Sequence, residues 1–173
     1  MILAKRLLFI WTALVLTGCA SDVFDAHQSA DCTPRLLLWQ LDNATQDEFA
    51  SKAVTETIGT LVLKRGIAYR AATPAEKAPG ADLSGSSWED IKAKAEELHL
   101  PYILTGTVQE YRYQLDVNGD PTVGITLHLT DVKSGNIIWQ ASGSDVGLGA
   151  SSLSSVTLDV AKKIIARMPW PPK

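Results

Sequence analysis

The residue with the clearest chemistry in this chain is Cys19, whose thiol is a nucleophile that can be alkylated. It closes the tetrapeptide at residues 16–19 (LTGC), which ends an apolar run over residues 7–16. Lys5 and Arg6 precede that run. A basic segment, a short apolar segment and small residues before a processing point are the features of a secretory signal. The sequence therefore predicts export of the chain and a covalent modification at Cys19.

The tetrapeptide resembles the bacterial lipobox, in which the cysteine thiol takes a diacylglycerol thioether and the peptide is cut just before it. A membrane-spanning helix is the alternative, but crossing roughly 30 Å of hydrocarbon needs about 20 apolar residues, more than this run supplies. We expect a signal peptide over residues 1–18 and an acylated Cys19 that holds the chain to outer-membrane lipid. Ala20 stands where an inner-membrane retention signal would usually show aspartate. The expected location is therefore the periplasmic face of the outer membrane.

Charge and cysteine content narrow the possible partners. Without Lys5 and Arg6 the chain keeps 14 basic and 19 acidic residues, a net charge of about −5. This sign argues against nucleic acid and is compatible with a cationic partner, although a mildly acidic surface also simply keeps a protein soluble. Cys32 is the second cysteine. If Cys19 is acylated, we interpret Cys32 as a buried, unreactive thiol. A disulfide between the Cys32 residues of two subunits is the alternative.

Residues that could form a catalytic or metal site are few and scattered. His27, His99 and His128 lie far apart and lack the spacing of a metal motif, so ordinary surface or partly buried histidines explain them. Residues 147–149 (GLG) follow a predicted strand and precede a predicted helix, but the third glycine and the lysine of phosphate-binding loops are absent. The adjacent pair at 96–97 points to different helix faces and cannot act as a carboxylate dyad. We expect no catalytic residue, no metal, no cofactor and no enzymatic activity.

The elements that position these residues are predicted from periodicity and capping. Residues 19–34 are polar and aperiodic, as in a flexible tether, and residues 35–173 form one domain. The predicted order is β-α-β-α-β-β-β-α, with strands at 36–41, 67–70, 102–113, 122–132 and 137–142 and helices at about 47–64, 87–98 and 153–168. This order favours a single α+β domain in which helices pack on a mostly antiparallel sheet.

Two segments in the predicted sheet resemble a known group of proteins. Residues 102–113 (YILTGTVQEYRY) and 127–139 (LHLTDVKSGNIIW) are similar to the strands of the CsgG-like lipoprotein superfamily. Within that group, residues 110–113 (EYRY) and 118–124 (NGDPTVG) resemble the aromatic-Arg-aromatic strand and the Gly-acid-Pro-x-Val-Gly hairpin of the PelC-like family of exopolysaccharide-export lipoproteins.

The resemblance to this family implies a structural role in export. Its members form a large ring of identical subunits, lipidated at the N-terminus, around the periplasmic mouth of an outer-membrane β-barrel porin. An acidic funnel on the ring would attract a cationic, partly de-N-acetylated polysaccharide, since a concave surface of one charge concentrates ligands of the opposite charge. The candidate acidic residues come from the predicted hairpin and the first loop: Asp116, Asp120, Asp42, Asp47 and Glu48. Turn geometry alone is the alternative explanation for the hairpin aspartates.

Leu148 is the candidate membrane contact. It stands between two glycines and has little of its own loop to pack against, so it could dip into lipid beside the acyl chains. PelC-like proteins often carry tryptophan in this loop, and leucine departs from that pattern. The alternative is that Leu148 packs under its own loop.

A second function from a different class stays open. A lipoprotein similar to LpoB would dock as a monomer onto a cell-wall synthase and regulate it, usually by reaching far into the periplasm. The predicted tether spans at most about 50 Å at 3.3–3.6 Å per extended residue, which is short for that task. The sequence therefore favours the export ring over the docking module.

Overall fold

The computed structural model describes residues 25–28, 33–73, 87–114 and 119–171. The predictions for Cys19, Cys32 and Asp116 lie outside the described residues. Within these described ranges, three helices and six strands follow one another in the order β1, β2, α1, β3, α2, β4, β5, β6, α3. The strands are β1 (Leu36–Trp39), β2 (Asp42–Asn43), β3 (Tyr69–Ala72), β4 (Tyr102–Tyr113), β5 (Pro121–Asp131) and β6 (Ile137–Val146). The helices are α1 (Ala50–Lys64), α2 (Trp88–Glu97) and α3 (Leu153–Ile165).

The single α+β domain is confirmed, and its sheet is mixed. The main strand order is β3-β1-β4-β5-β6, with β2 pairing to β4 beside it. The three short strands run parallel to their neighbours, whereas the β4–β5 and β5–β6 pairs are antiparallel. Helical crossovers explain the parallel pairs, because α1 joins β1 and β2 to β3, and α2 joins β3 to β4. The antiparallel part that the sequence predicts is the β4–β5–β6 meander.

A large core lies between the sheet and two helices. On β5, alternate residues Val123, Ile125, Leu127 and Leu129 are fully buried in one cluster with apolar residues of α1 and α3. Period-two burial follows from the pleat, which sends successive side chains to opposite faces. The opposite face of the sheet is covered by α2 only over β1 and the start of β4, where Leu37, Ile91 and Ile103 belong to a smaller cluster.

Local signals in the sequence explain where α2 begins and ends. Ser87, at the predicted start of this helix, is the N-cap, and its hydroxyl accepts the Asp90 N–H while the Asp90 carboxylate accepts the Ser87 N–H. His99 has a positive φ of 54° just past the helix, and its N–H donates to the Glu96 carbonyl. His99 therefore serves the helix terminus, in agreement with the structural interpretation of that histidine.

Phe49 departs from the predicted pattern of α1. Its spacing places it first on the buried stripe, but it is the N-cap residue and its side chain is 67% exposed. The stripe begins instead at Ala50 and continues through Val54 and Ile58, all fully buried. The helix starts at Ala50, after the predicted residue 47. Asp47 turns the chain immediately before the helix, because its carboxylate accepts the Phe49 N–H at 2.9 Å.

Candidate functional site

Most of the residues singled out as functional lie at one end of the sheet, which we call the distal end. Because β1, β2 and β4 are parallel, their carboxyl ends meet there, and β5 begins and β6 ends at the same place. The distal end comprises the loop 44–49, residues 114 and 119–120 of the β4–β5 hairpin, and the loop 147–152. The opposite end, with residues 35, 101–102, 131–137 and 166–170, is the proximal end.

The loop 44–49 is fixed against the distal half of β4. The Ala44 N–H donates to the Val108 carbonyl at 3.0 Å. The Asn43 side chain holds the loop by two hydrogen bonds. Its carboxamide oxygen accepts the Thr45 N–H at 3.0 Å, and its amide nitrogen donates to the Asp47 carbonyl at 2.7 Å. This rigid loop carries Asp47 and Glu48 next to β4.

A groove of about 480 Å³ separates the loop from β4. It is lined by residues 44–46 on one side and by Gln109, Glu110, Tyr111, Arg112 and Tyr113 on the other. Burial raises the pKa of Tyr111, and the Asp47 carboxylate and Tyr113 raise it further. Asp47 is thus close enough to the Tyr111 phenol for their charges to interact. Tyr113 is 50% exposed, so the groove presents an aromatic ring near the Glu110 carboxylate.

Glu110 is a carboxylate of this groove that the sequence did not assign to the acidic set. Strict alternation from buried Val108 would turn residue 110 toward the helix-covered core. The pairing shifts by one residue between Val108 and Glu110, so Glu110 pairs with Gly124 and Tyr111 with Val123 of the core. This bulge places Glu110 and Arg112 together, with 3.7 Å between Oε1 and Nη2. Arg112 offsets part of the Glu110 charge, and both side chains are exposed.

The five predicted acidic residues fall into different environments. Asp42 on β2 and Glu48 are exposed, and Asp47 is half-buried with its carboxylate engaged at the start of α1. Asp120 is 8% exposed, and its carbonyl accepts the Gln114 N–H at 2.8 Å within the hairpin. Asp116 lies outside the described residues. The structure thus brings Asp42, Asp47 and Glu48 to one loop region and leaves Asp120 little surface.

Leu148 stands out from the distal end. It is 78% exposed, so packing under its own loop does not occur. The loop is nevertheless held in place, because the Gly147 N–H donates to the Pro121 carbonyl at 2.8 Å. Gly147 is required by close approach: a Cβ there would meet Ser151, Val156 and Pro121 atoms at 2.6–2.8 Å. The buried Gly147 fixes the loop while Leu148 points out of it.

The described residues contain neither a cluster of metal ligands nor a membrane-spanning helix. Within residues 25–28, 33–73, 87–114 and 119–171, no group of three or more His, Cys, Asp or Glu side chains could hold a metal ion. No helix in the described part of the chain is long and apolar enough to cross a membrane.

Comparison with solved structures first defines the fold class. No family model matches the chain, and no curated protein matches it. The fold is shared with a lipoprotein from Neisseria meningitidis, at 17% identity and a TM-score of 0.54, covering 78% of this chain and 97% of that one. At this identity the likeness concerns the fold alone.

The likeness to PelC from Paraburkholderia phytofirmans is greater. A crystal structure of the PelC dodecamer is 28% identical, with a TM-score of 0.65, and the match covers 76% of this chain and 84% of that one. A dodecamer of a PelC variant in a second crystal form gives 28% identity and a TM-score of 0.64, over 77% and 87% of the two chains. The chain is PelC-like in both sequence and fold, as residues 102–124 predict.

Proposed function

We propose that this chain is a non-catalytic outer-membrane lipoprotein that assembles with copies of itself into a periplasmic ring and guides a cationic exopolysaccharide to an outer-membrane β-barrel porin. The observation that carries the proposal is the 28% identity and TM-score of 0.65 to a PelC dodecamer. A reaction, a cofactor and a metal have no place in this function. The acidic distal end supplies its physical mechanism.

The mechanism is electrostatic focusing. Asp42 and Glu48 are exposed, and neither carboxylate has a hydrogen-bond or ion-pair partner among the described residues. Repeated around a ring, such carboxylates sum to a negative potential that raises the local concentration of a polycation. The attraction between exposed charges is screened beyond about 10 Å at 0.1 M salt, so the chain stays loosely held and can move. Loose holding suits a conduit better than tight binding.

Ring assembly is the first part to test. A ring needs a head-to-tail interface, in which one surface of each copy meets a different surface of the next and the rotation closes. We expect light scattering of the mature protein in detergent to give one discrete large mass that is stable on dilution. A mass that stays monomeric with and without the lipid would contradict the ring and favour the LpoB-like docking module.

The lipid anchor and Leu148 place a geometric demand on the chain. The Gln28 side-chain oxygen accepts the Tyr69 N–H at 3.3 Å, and Tyr69 is level with Tyr102 through β1. Gln28 therefore lies beside the proximal part of the sheet. The ten steps from Tyr102 to Arg112 cover about 33 Å, and the nine residues back from Gln28 to Cys19 reach at most about 32 Å. One bilayer surface can hold the acylated Cys19 and Leu148 only if those nine residues run almost fully extended toward the distal end.

This demand gives a test of the membrane contact. We expect Leu148→Gln to weaken retention of the lipidated protein on vesicles, because an exposed apolar side chain is removed from the lipid boundary. Deletion of residues 21–24 should abolish the difference between leucine and glutamine at position 148, since the loop then no longer reaches the bilayer. An effect of Leu148→Gln that persists in the shortened chain would show that Leu148 contacts another protein surface instead.

A further inference from the structure

The sheet has a second recess, nearer the proximal end than the Glu110 groove and on the face that α1 and α3 leave open. We call this the open face: the side chains of β4, β5 and β6 that alternate away from the large core. On β5, the open-face residues are Thr122, Gly124, Thr126, His128 and Thr130, between the four apolar residues of the core. The three threonines are only 3–7% exposed, so His128 has the most surface in this row, which carries hydroxyl groups where the other face is aliphatic.

The recess lies near the proximal part of the open face, beside the first turn of α2. It has a volume of about 320 Å³, and we call it the His128 pocket; its lining residues are Trp88, Thr105, His128, Thr130, Gly135 and Ile137. Ile137 is 56% exposed and Trp88 is half-buried. No charged side chain lines the pocket. It therefore offers an indole, an aliphatic side chain, two hydroxyls and an imidazole.

The imidazole carries an unpaired buried atom. His128 Nδ1 is buried and has no hydrogen-bond partner, the one buried side-chain polar atom of the described residues in this condition. A proton on Nδ1 would be a buried donor without an acceptor, which native structures avoid more strictly than an unpaired acceptor. Of the two neutral tautomers, the one with its proton on Nε2 avoids that cost. The nitrogen left to meet a ligand in the pocket is then a hydrogen-bond donor.

The chemistry of this lining selects an uncharged ring with an apolar face and a polar rim. An ammonium or carboxylate would lose hydration here without gaining a counter-charge, which is costly. A pyranose places its C–H face on an indole and its oxygen atoms toward hydroxyl and imidazole donors. An acetamide group adds a methyl for Ile137 and a carbonyl oxygen that can accept from Nε2. An N-acetylated hexosamine is therefore a ring that can contact the indole, the aliphatic side chain, the hydroxyls and the imidazole of this pocket.

We propose that the His128 pocket is a binding site for an uncharged, N-acetylated sugar residue of the polysaccharide. This inference rests on the proposed function, which supplies the polysaccharide. The acidic distal end and the His128 pocket are then two regions of opposite preference, one for free-amine sugars and one for acetylated sugars. Between them the open face is uncharged: the Thr126 hydroxyl donates to the Gln109 side-chain oxygen at 3.0 Å and meets the Ser142 hydroxyl at 2.8 Å.

Two trimers that differ only in acetylation and charge separate the sites. We would record saturation-transfer difference NMR spectra of the mature protein in detergent with the trimer of N-acetylglucosamine and, separately, with the trimer of glucosamine. The acetylated trimer should receive saturation at its acetyl methyl and ring protons. Its affinity should fall by about tenfold in His128→Gln and in Ile137→Ser, the loss expected for one specific contact. Ile137 is exposed, so its replacement keeps the fold, and a far-UV spectrum checks both variants.

The paired control removes two carboxylates at and beside the distal end. Glu48→Gln combined with Glu110→Gln should weaken the glucosamine trimer and leave the acetylated trimer unchanged. Equal binding of the acetylated trimer to the wild type, His128→Gln and Ile137→Ser would overturn the His128 site. Binding of the glucosamine trimer alone would overturn it too, while leaving the proposed function intact. Failure of both trimers to bind would overturn both proposals.

Discussion

The proximal and distal ends of this molecule use similar residue types in opposite ways. At the proximal end, the Tyr102 and Trp170 rings meet edge to face with centroids 5.6 Å apart, and the Arg35 guanidinium lies 5.7 Å from the Tyr102 ring. At the distal end, Tyr113 is half exposed and Leu148 almost fully so. At the proximal end these groups contact one another within the chain and so stabilise the domain. The same groups left facing outward are available to a ligand, a membrane or another subunit.

Replacing Trp170 is the strongest test of whether the proximal contacts stabilise the domain. It packs on the large core and on Tyr102, so Trp170→Ala should destabilise the domain by about 2–3 kcal/mol, somewhat less than for a fully buried tryptophan. Urea denaturation measures the change. Trp170→Phe, which can keep an edge-to-face contact, is the matched control. A loss below about 0.5 kcal/mol, the usual range for surface substitutions, would mean that the proximal cluster does not close the domain.

Arg65 is the second proximal contact to remove. One guanidinium nitrogen, Nη1, donates to the carbonyls of Ile165 and Met168, at the end of α3. Arg65→Ala should cost about 1–2 kcal/mol, because hydrogen bonds from a charged group are lost. Arg65→Lys should recover part of that loss in the same denaturation experiment. Equal stabilities for the arginine, lysine and alanine forms would show that water replaces the guanidinium at no cost.

Asp47 tests whether a distal carboxylate also serves the fold. It accepts the Phe49 N–H at the start of α1, so Asp47→Ala should lower the free energy of unfolding by about 1 kcal/mol. Asp47→Asn keeps an acceptor oxygen and should be close to the wild type, although its charge is gone. Glu48→Gln, at an exposed position without a partner, should leave stability unchanged. If Asp47→Asn destabilises as much as alanine does, the negative charge itself supports the helix.

The smallest effect is expected from Asp145, a distal carboxylate that has its partner within the chain. Lys163 donates to Asp145 at 2.8 Å, and this hydrogen bond, with one from the Val146 N–H, holds the pKa of Asp145 below its ordinary range. The folded pKa is lower than the unfolded value of about 3.9. The stability gained is therefore present above that pH and is lost as pH falls through the folded pKa.

Acid unfolding measures this contribution. The stability of Asp145→Asn should fall less steeply below pH 5 than that of the wild type, and the two curves should converge at low pH. Asp42→Asn, which removes an exposed and unpaired carboxylate, is the matched control and should keep the wild-type slope. An unchanged slope for Asp145→Asn would mean that this exposed pair contributes nothing measurable.

The parts of the fold that sequence predicts well are those set by local chemistry. The bounds of β4, the Ser87 capping box and the alternation of β5 follow from neighbouring residues, and the structure has them within a residue. The mixed sheet does not follow from such signals, because parallel pairing of β1 with β3 and β4 depends on how distant segments come together. The sequence therefore predicted a mostly antiparallel sheet, which the meander is, and did not predict the parallel pairing of the short strands.

The candidate site was predictable only in part for a related reason. The family resemblance pointed to the acidic residues at 42–48, and the topology brings their loop to the distal end. Glu110 was not predicted as a site residue, because a one-residue bulge reverses the alternation of side chains beyond Val108 and no periodic pattern in the sequence reveals a bulge. The His128 pocket was not predicted either, because Trp88 is distant in sequence from His128 and Ile137. These residues meet only through the packing of α2 on the sheet.

The central claim is that the distal end attracts a cationic sugar chain by its charge. Its most direct test is the salt dependence of glucosamine-trimer binding to the mature protein, measured on the wild type and on the Asp42→Asn, Glu48→Gln, Glu110→Gln variant. We expect the wild-type affinity to fall steadily as salt rises, and the variant to bind weakly at every salt concentration, because exposed charges are screened. Binding that is independent of salt, or equal in both proteins, would contradict the account.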